Sequence, residues 1–190
     1  MKSKKKNILY ISPEDIKRSE IGNTLLKEIF KQIIPSNIEK QIYFSPEDSY
    51  TIYDALINYL KEGSMISTDL YEVKVRDEDY PTLLLEKKKY TDLLKHSRRM
   101  YNIRHIYYVV ITPGGSWSYD LLKLPKLKWI TEQHNIKSTD THYGKTTKEV
   151  TYLDKNIGTF IDIKTGDYEK LIESKIESKV VKKQIGFEII

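Results

Sequence analysis

The chain has 190 residues and a mass of 22.4 kDa, enough for one domain with its own core. Its net charge of +5 favours polyanionic partners, and the absence of cysteine excludes disulfides, thiolate chemistry and zinc sites built on Cys. The apolar run near the N-terminus, Ile8 through Ile11, is shorter than the roughly 7–15 residues of a secretory signal or the roughly 20 of a membrane span. A cytoplasmic protein without a membrane partner is therefore expected.

The aromatic content is weighted toward tyrosine, with 15 Tyr against 4 Phe and 2 Trp. Tyrosine packs through its ring and keeps a hydroxyl for water, phosphate or a partner.

Ser12, Pro13, Glu14 and Asp15 combine a capping hydroxyl, a proline at the first helical position and acids in the first turn. Ile16, Leu25, Leu26, Ile29, Phe30 and Ile33 follow at helical spacing, so a helix is expected over about 13–34. Residues 37–59 read two ways. Ser45, Pro46, Glu47 and Asp48 repeat the helix-start signal, and Tyr53, Leu56, Ile57 and Leu60 could form a helical face. The same stretch also reads as strands over 38–44 and 50–57 joined by a turn at 46–49. Its β-branched and aromatic content favours the strands, although periodicity alone does not decide.

Residues 61–64 form a turn around Gly63, and 65–75 a strand carrying Tyr71, Val73 and Val75. Tyr80 and Pro81 open a second expected helix, with Leu83, Leu84, Tyr90, Leu93 and Leu94 as its stripe through about His96. Residues 105–112 are almost wholly apolar, as in a buried central strand, and 117–122 return as its partner after Pro113, Gly114 and Gly115. Residues 135–148 are polar and turn-rich and read as a surface loop. Residues 150–153 and 159–163 could pair as a hairpin, and the tail over 168–183 is amphipathic and basic. The order of elements suits a mixed α/β domain with helices flanking a central sheet. A core over 1–125 is expected, with a variable C-terminal extension over 126–190 packed on or appended to the same domain.

Hydrolysis of a phosphodiester needs a divalent cation and a positioned water. Mg²⁺ takes oxygen ligands and keeps several waters, so one or two carboxylates can hold it. On a strand, residues i and i+2 share a face, so Glu72 and Lys74 project together while Val73 turns away. Asp54, on the preceding strand through the Gly63 hairpin, supplies a second carboxylate. An acid two residues before a lysine also occurs at Asp15, Glu86, Asp162, Glu173 and Glu177. Asp15, Glu86, Glu173 and Glu177 fall in expected helices, where i and i+2 diverge. Asp162 has no basic helix after it. Glu72 and Lys74 equally read as a solvated cross-strand ion pair on a sheet edge.

Tyr53, Asp54 and Ala55, then Tyr71 to Arg76, then Tyr80 and Pro81, then Leu85 to Tyr90 resemble the PD-(D/E)XK nuclease superfamily, particularly small nuclease-like proteins of bacteria and their phages. The resemblance covers residues 14–125. It implies a restriction-endonuclease-like core, a central mixed sheet flanked by helices, with Mg²⁺ or alternatively Mn²⁺ as cofactor. Asp54 stands for the motif's Asp, Glu72 for its second acid and Lys74 for its Lys, while Tyr53 replaces the Pro. Asp54 and Glu72 would hold the metal with the Val73 carbonyl. Lys89 resembles the Lys or Gln such nucleases place near the site, and Glu20 an acid that some branches add. For Glu20, a solvated helix residue is an equal reading.

Lys87, Lys88, Lys89, Arg98, Arg99 and Arg104 could track the phosphates of a nucleic-acid partner, DNA in the leading reading, or form a solvated face. Trp117 and Tyr119 read as sheet packing more readily than as base-stacking rings, and the four histidines show no metal-ligand spacing. Such nucleases often pair to cut both strands, which implies a homodimer. The expected function is metal-dependent hydrolysis of phosphodiesters in DNA. The alternative is a catalytically inactive nuclease-fold module that binds nucleic acid or serves a phage as an accessory interaction protein.

Overall fold

The computed structural model describes residues 13–46, 51–76, 78–137 and 140–162. The expected architecture, a central mixed sheet flanked by helices, is what the chain forms. Helix α1 (Pro13–Ile33) precedes strands β1 (Lys40–Phe44), β2 (Ala55–Lys61) and β3 (Ser64–Val75). A short strand β4 (Thr82–Glu86) and helix α2 (Lys87–Ser97) then lead into β5 (Ile103–Thr112) and β6 (Gly115–Asp120). Strands β7 (Ile130–Lys137), β8 (Asp140–Asp154) and β9 (Thr159–Ile161) follow.

The main sheet has the order β1-β2-β3-β5-β6-β9, with β3 and β5 parallel and the other neighbours antiparallel. Strands β2 and β3 are joined through Glu62 and Gly63, both with positive φ (52° and 75°), as a two-residue hairpin turn whose twist matches its strands requires. The parallel partner β5 is reached by the crossover through β4 and α2.

Each face of this sheet carries its own core. Ile21, Leu25, Leu26, Ile29 and Phe30 of α1 pack on Ala55, Ile57, Tyr71, Val109 and Ile111. On the same face Val73 and Val75 lie beneath Gly22, within 3.6 Å of where a β-carbon there would stand. The opposite face presents Leu70, Ile106, Tyr108 and Val110 to Leu83 and Leu85 of β4, Leu93 of α2 and Leu153 of β8. Full burial of each such aliphatic side chain contributes about 1.5–3 kcal/mol.

Three expectations are corrected here. The helix expected from Tyr80 begins only at Lys87, because 82–86 form β4. Leu83 and Leu85 are both buried while the residues between and beside them are less so, which is a strand's period of two. The loop expected over 135–148 belongs to the β7–β8 ribbon, with 138–139 outside the described residues. The hairpin expected between 150–153 and 159–163 does not form. Instead β8 pairs with β4 and β7 in a three-stranded second sheet, while β9 adds to the main sheet beside β6.

The segment after residue 125 is thus woven into both sheets. Gly115, at φ 130°, has the Phe160 ring of β9 where any β-carbon would project, so this turn accepts only glycine. The basic tail over 168–183 lies outside the described residues. No helix among the described residues is long and apolar enough to cross a membrane.

Candidate active site

Asp54 sits one residue before β2, and its backbone is held on both sides. Its N–H donates to the Tyr71 carbonyl at 2.8 Å, and its carbonyl accepts from the Ser45 N–H at 2.8 Å. The side chain then takes over where the ladder stops: Oδ2 accepts the Val73 N–H at 2.6 Å. The β2–β3 register pairs Ala55 with Tyr71, so Asp54 lies beside the strand carrying Glu72 and Lys74.

Glu72 is only 6% exposed, in a central strand between β2 and β5, so it is not part of a solvated pair on a sheet edge. Its Oε1 is 2.7 Å from the Lys89 Nζ, contributed by the first turn of α2. Its Oε2 is buried and accepts no hydrogen bond. An unsatisfied buried carboxylate oxygen is costly, of the order of 1–3 kcal/mol or more, and is the position a cation would fill. Lys89 also donates to the Ile52 carbonyl at 3.3 Å, so α2 is tied to the segment that enters Asp54.

The electrostatics follow from this crowding. Burial, then the nearby Asp54 charge, push the Glu72 carboxyl up to about 8 against the pull of Lys89. Burial also raises Asp54, opposed chiefly by its bond from Val73. Lys74 is held below the usual ammonium range by burial and by Arg76, with Glu72 and Glu86 pulling the other way. Two acids that resist ionisation and a lysine that resists protonation act on one another here, a pattern concentrated at functional sites.

No protein-family model matches the chain, and no curated protein matches it. A solved structure does: Hjc, a Holliday junction resolvase from the archaeal hyperthermophile Archaeoglobus fulgidus. It is 15% identical over 79% of this chain and 96% of that one, with a TM-score of 0.45. Likeness at that distance assigns no reaction. The chemistry rests on the residues themselves.

Asp54, Glu72, Lys74 and Lys89 are therefore brought together. Val73 lies between the second acid and the lysine with its N–H committed to Asp54. Glu20 is not gathered with them. It lies on α1, which covers the Val73 and Val75 face rather than the Glu72 face, and among the described residues no third acid or histidine joins the two carboxylates.

The basic residues divide in the same way. Arg98 and Arg99 are exposed at the end of α2. Lys88 pairs with Asp92 at 2.6 Å on the helix surface, and Lys87 reaches Glu149 of β8 at 2.5 Å. Arg104 stands apart from these residues. Its guanidinium grips the buried Asp69 through Nε at 3.1 Å and Nη2 at 2.7 Å and lies over the Tyr59 ring, on the α1 side of the sheet. Trp117 and Tyr119 are buried in the sheet. His105 pairs with Asp120 at 2.6 Å and His134 with Glu132 at 3.1 Å.

Three contributors were not anticipated. Ser45 anchors Asp54 through its N–H and donates its hydroxyl to the Tyr53 carbonyl at 2.7 Å. Glu86, whose charge acts on Lys74, is paired with Lys148 of β8 at 2.9 Å. Arg76 shares the strand face of Glu72 and Lys74, and the alternation rule that identified those two applies to it equally.

Proposed function

We propose that this chain is a metal-dependent nuclease of the PD-(D/E)XK type, hydrolysing phosphodiester bonds in DNA. The observation that carries the reading is the Glu72 carboxylate: buried, joined to Lys89 through one oxygen, unsatisfied at the other and pressed against Asp54. Two carboxylates of this kind fit a hard cation such as Mg²⁺ or Mn²⁺, which accepts few protein oxygens and keeps its remaining waters.

Asp54 and Glu72 would hold that cation, with the Val73 carbonyl as a further oxygen. When bound, it supplies charge neutralisation at the phosphate and a more acidic water. Lys74 positions the attacking water and accepts its proton at Nζ, a role that its depressed proton affinity suits. Lys89 orients Glu72 by holding Oε1. Asp54 in turn is oriented by the Val73 N–H, so the first acid moves with the strand that carries the second acid and the lysine.

Lys87, Lys88, Arg98 and Arg99 extend the positive surface along α2 and would contact the backbone of the polynucleotide. A homodimer would place two such sites on the two strands of a duplex. The test is incubation of purified protein with labelled DNA and Mg²⁺ or Mn²⁺, beside Lys74→Ala. Cleavage that needs the metal and is lost in the variant supports the reading. Cleavage persisting in the variant rejects the role of Lys74, and a wild-type protein that binds DNA without ever cutting it is instead a binding module on a nuclease scaffold.

A further inference from the structure

Beside the site, a cavity of about 430 Å³ opens at the end of β3, lined chiefly by Arg76, Tyr80, Pro81, Leu84 and Tyr152. A volume of that order suits a small planar ligand. Resting on the nuclease reading above, we propose that it takes an unpaired nucleobase of the substrate, next to the phosphate being cut, while Arg76 holds the phosphate between.

The placement follows from the strand. Glu72 and Lys74 share one face of β3, and Arg76, the residue after the strand, continues the alternation with its N–H still bonded to the Ile111 carbonyl, so its side chain leaves the chain about 7 Å beyond that of Lys74. The charged line begins at the buried acid and ends at the cavity mouth.

The lining has the chemistry of a base platform. Tyr80 and Tyr152 are 45% and 44% exposed, close enough to half that each offers ring surface to a ligand. Leu84 and Pro81 supply aliphatic walls, and a guanidinium stacks on or bridges to an aromatic ligand better than an ammonium can.

Several of these groups are held before any ligand arrives. Tyr152 stands directly opposite Leu84 in the β4–β8 register, and its hydroxyl donates to Glu132 Oε2 at 2.7 Å. Arg76 donates its N–H to the Ile111 carbonyl at 2.8 Å, and its guanidinium meets the Tyr108 hydroxyl. That hydroxyl donates to the Leu84 carbonyl at 2.9 Å, which links the arginine to the cavity wall. A ligand therefore enters a formed pocket, at a smaller ordering cost than on a mobile surface.

Entry between such walls takes a base out of the helical stack, and an unpaired nucleotide leaves it at the least cost because no pairing is broken. The substrate class is therefore a polynucleotide with an unpaired nucleotide beside the cut.

The test uses the full chain and two fluorescein-labelled probes, a single-stranded oligodeoxynucleotide and its duplex, followed by anisotropy in EDTA so that nothing is cut. Tyr80→Ala and Tyr152→Ala should each weaken single-strand binding about tenfold while leaving duplex binding within about twofold. Arg76→Ala should lower the salt slope of single-strand binding by about 0.7, one phosphate contact. Tyr80 is exposed outside the strands, so Tyr80→Ala serves even if Tyr152→Ala unfolds.

Unchanged single-strand affinity in Tyr80→Ala, or an equal loss on both probes, overturns the subsite. A protein that shows the single-strand effect but never cuts DNA overturns the nuclease reading and leaves the subsite standing. A protein that binds neither probe overturns the subsite and leaves the nuclease reading to the cleavage assay.

Discussion

The carboxylate of Asp54 accepts the backbone N–H of Val73 at 2.6 Å, so the first acid of the site is tied to the residue between the second acid and the lysine. The relative position of Asp54, Glu72 and Lys74 is thereby set by main chain rather than by long side chains. This bond separates the geometric role of Asp54 from its charge. Asp54→Asn keeps an acceptor for Val73 and should melt within about 1 kcal/mol of wild type, whereas Asp54→Ala loses the bond and should cost about 1–3 kcal/mol. Both should lower Mn²⁺ affinity at least about tenfold, read by calorimetric titration. Wild-type Mn²⁺ affinity in Asp54→Asn would remove Asp54 from the metal site.

Lys74→Ala should reduce the cleavage rate by about 10²–10⁴, the usual contribution of a positioned general base, without shifting the midpoint of thermal unfolding downward. Lys74 is half-buried with its proton affinity depressed, so its removal relieves the protein of a cost. Single-turnover cleavage of a labelled oligonucleotide beside a thermal melt decides the matter. A rate within about twofold of wild type would exclude a role in proton transfer.

The raised proton affinity of Glu72 has a consequence for stability. Its carboxyl titrates near 4.5 when unperturbed and at about 8 in the folded protein. The folded state therefore binds this proton more tightly than the unfolded state, and the stabilisation is complete below pH 4.5 and lost as pH rises through 8. Without metal, the melting temperature should fall across that window because of this group, and Glu72→Gln should flatten the fall and raise the melting temperature at pH 8. Added Mn²⁺ should stabilise wild type at pH 8 and leave Glu72→Gln unchanged. A metal-free melting temperature with the same pH dependence in both proteins would contradict the assignment.

The grip of Arg104 on Asp69 predicts a contribution to stability. Its partner Asp69 is 1% exposed, and truncation of the arginine strands a buried charge. Arg104→Ala should cost about 2–3 kcal/mol, below the full range for buried pairs because the guanidinium is partly solvated. DNA affinity and its salt slope should not change. Arg98→Ala with Arg99→Ala should do the reverse, lowering the slope by about 2 with little effect on the melt. A salt slope reduced in Arg104→Ala would return this arginine to the phosphate-binding face.

What the sequence made legible was local. Helix α1, the Gly63 turn and the alternation of Glu72 with Lys74 each depend on contacts within a few residues, and the spacing of those residues is enough to see them. The apolar run before α2 misleads toward a single helix because Leu83, Leu84, Leu93 and Leu94 fit a helical stripe as readily as a strand followed by a helix. The choice was made by β8, whose Thr151 and Leu153 pair with Leu85 and Leu83 from far along the chain. Strand β8 itself gave little signal, since around Lys145–Glu149 both of its faces are polar and exposed or half-buried. Its pairing is recorded in partners rather than in its own pattern. The same distance hid the commitment of Arg104 to Asp69 and of Glu86 to Lys148, which no local periodicity links.

Strand β4 holds three consecutive leucines and, among the described residues, pairs only with β8. During synthesis β2, β3, α2 and β5 all precede β8, which leaves an adhesive ribbon uncovered in the meantime. A polypeptide ending at residue 125 would keep every proposed catalytic group and carry this sticky border permanently, so it should precipitate or self-associate rather than behave as a minimal enzyme.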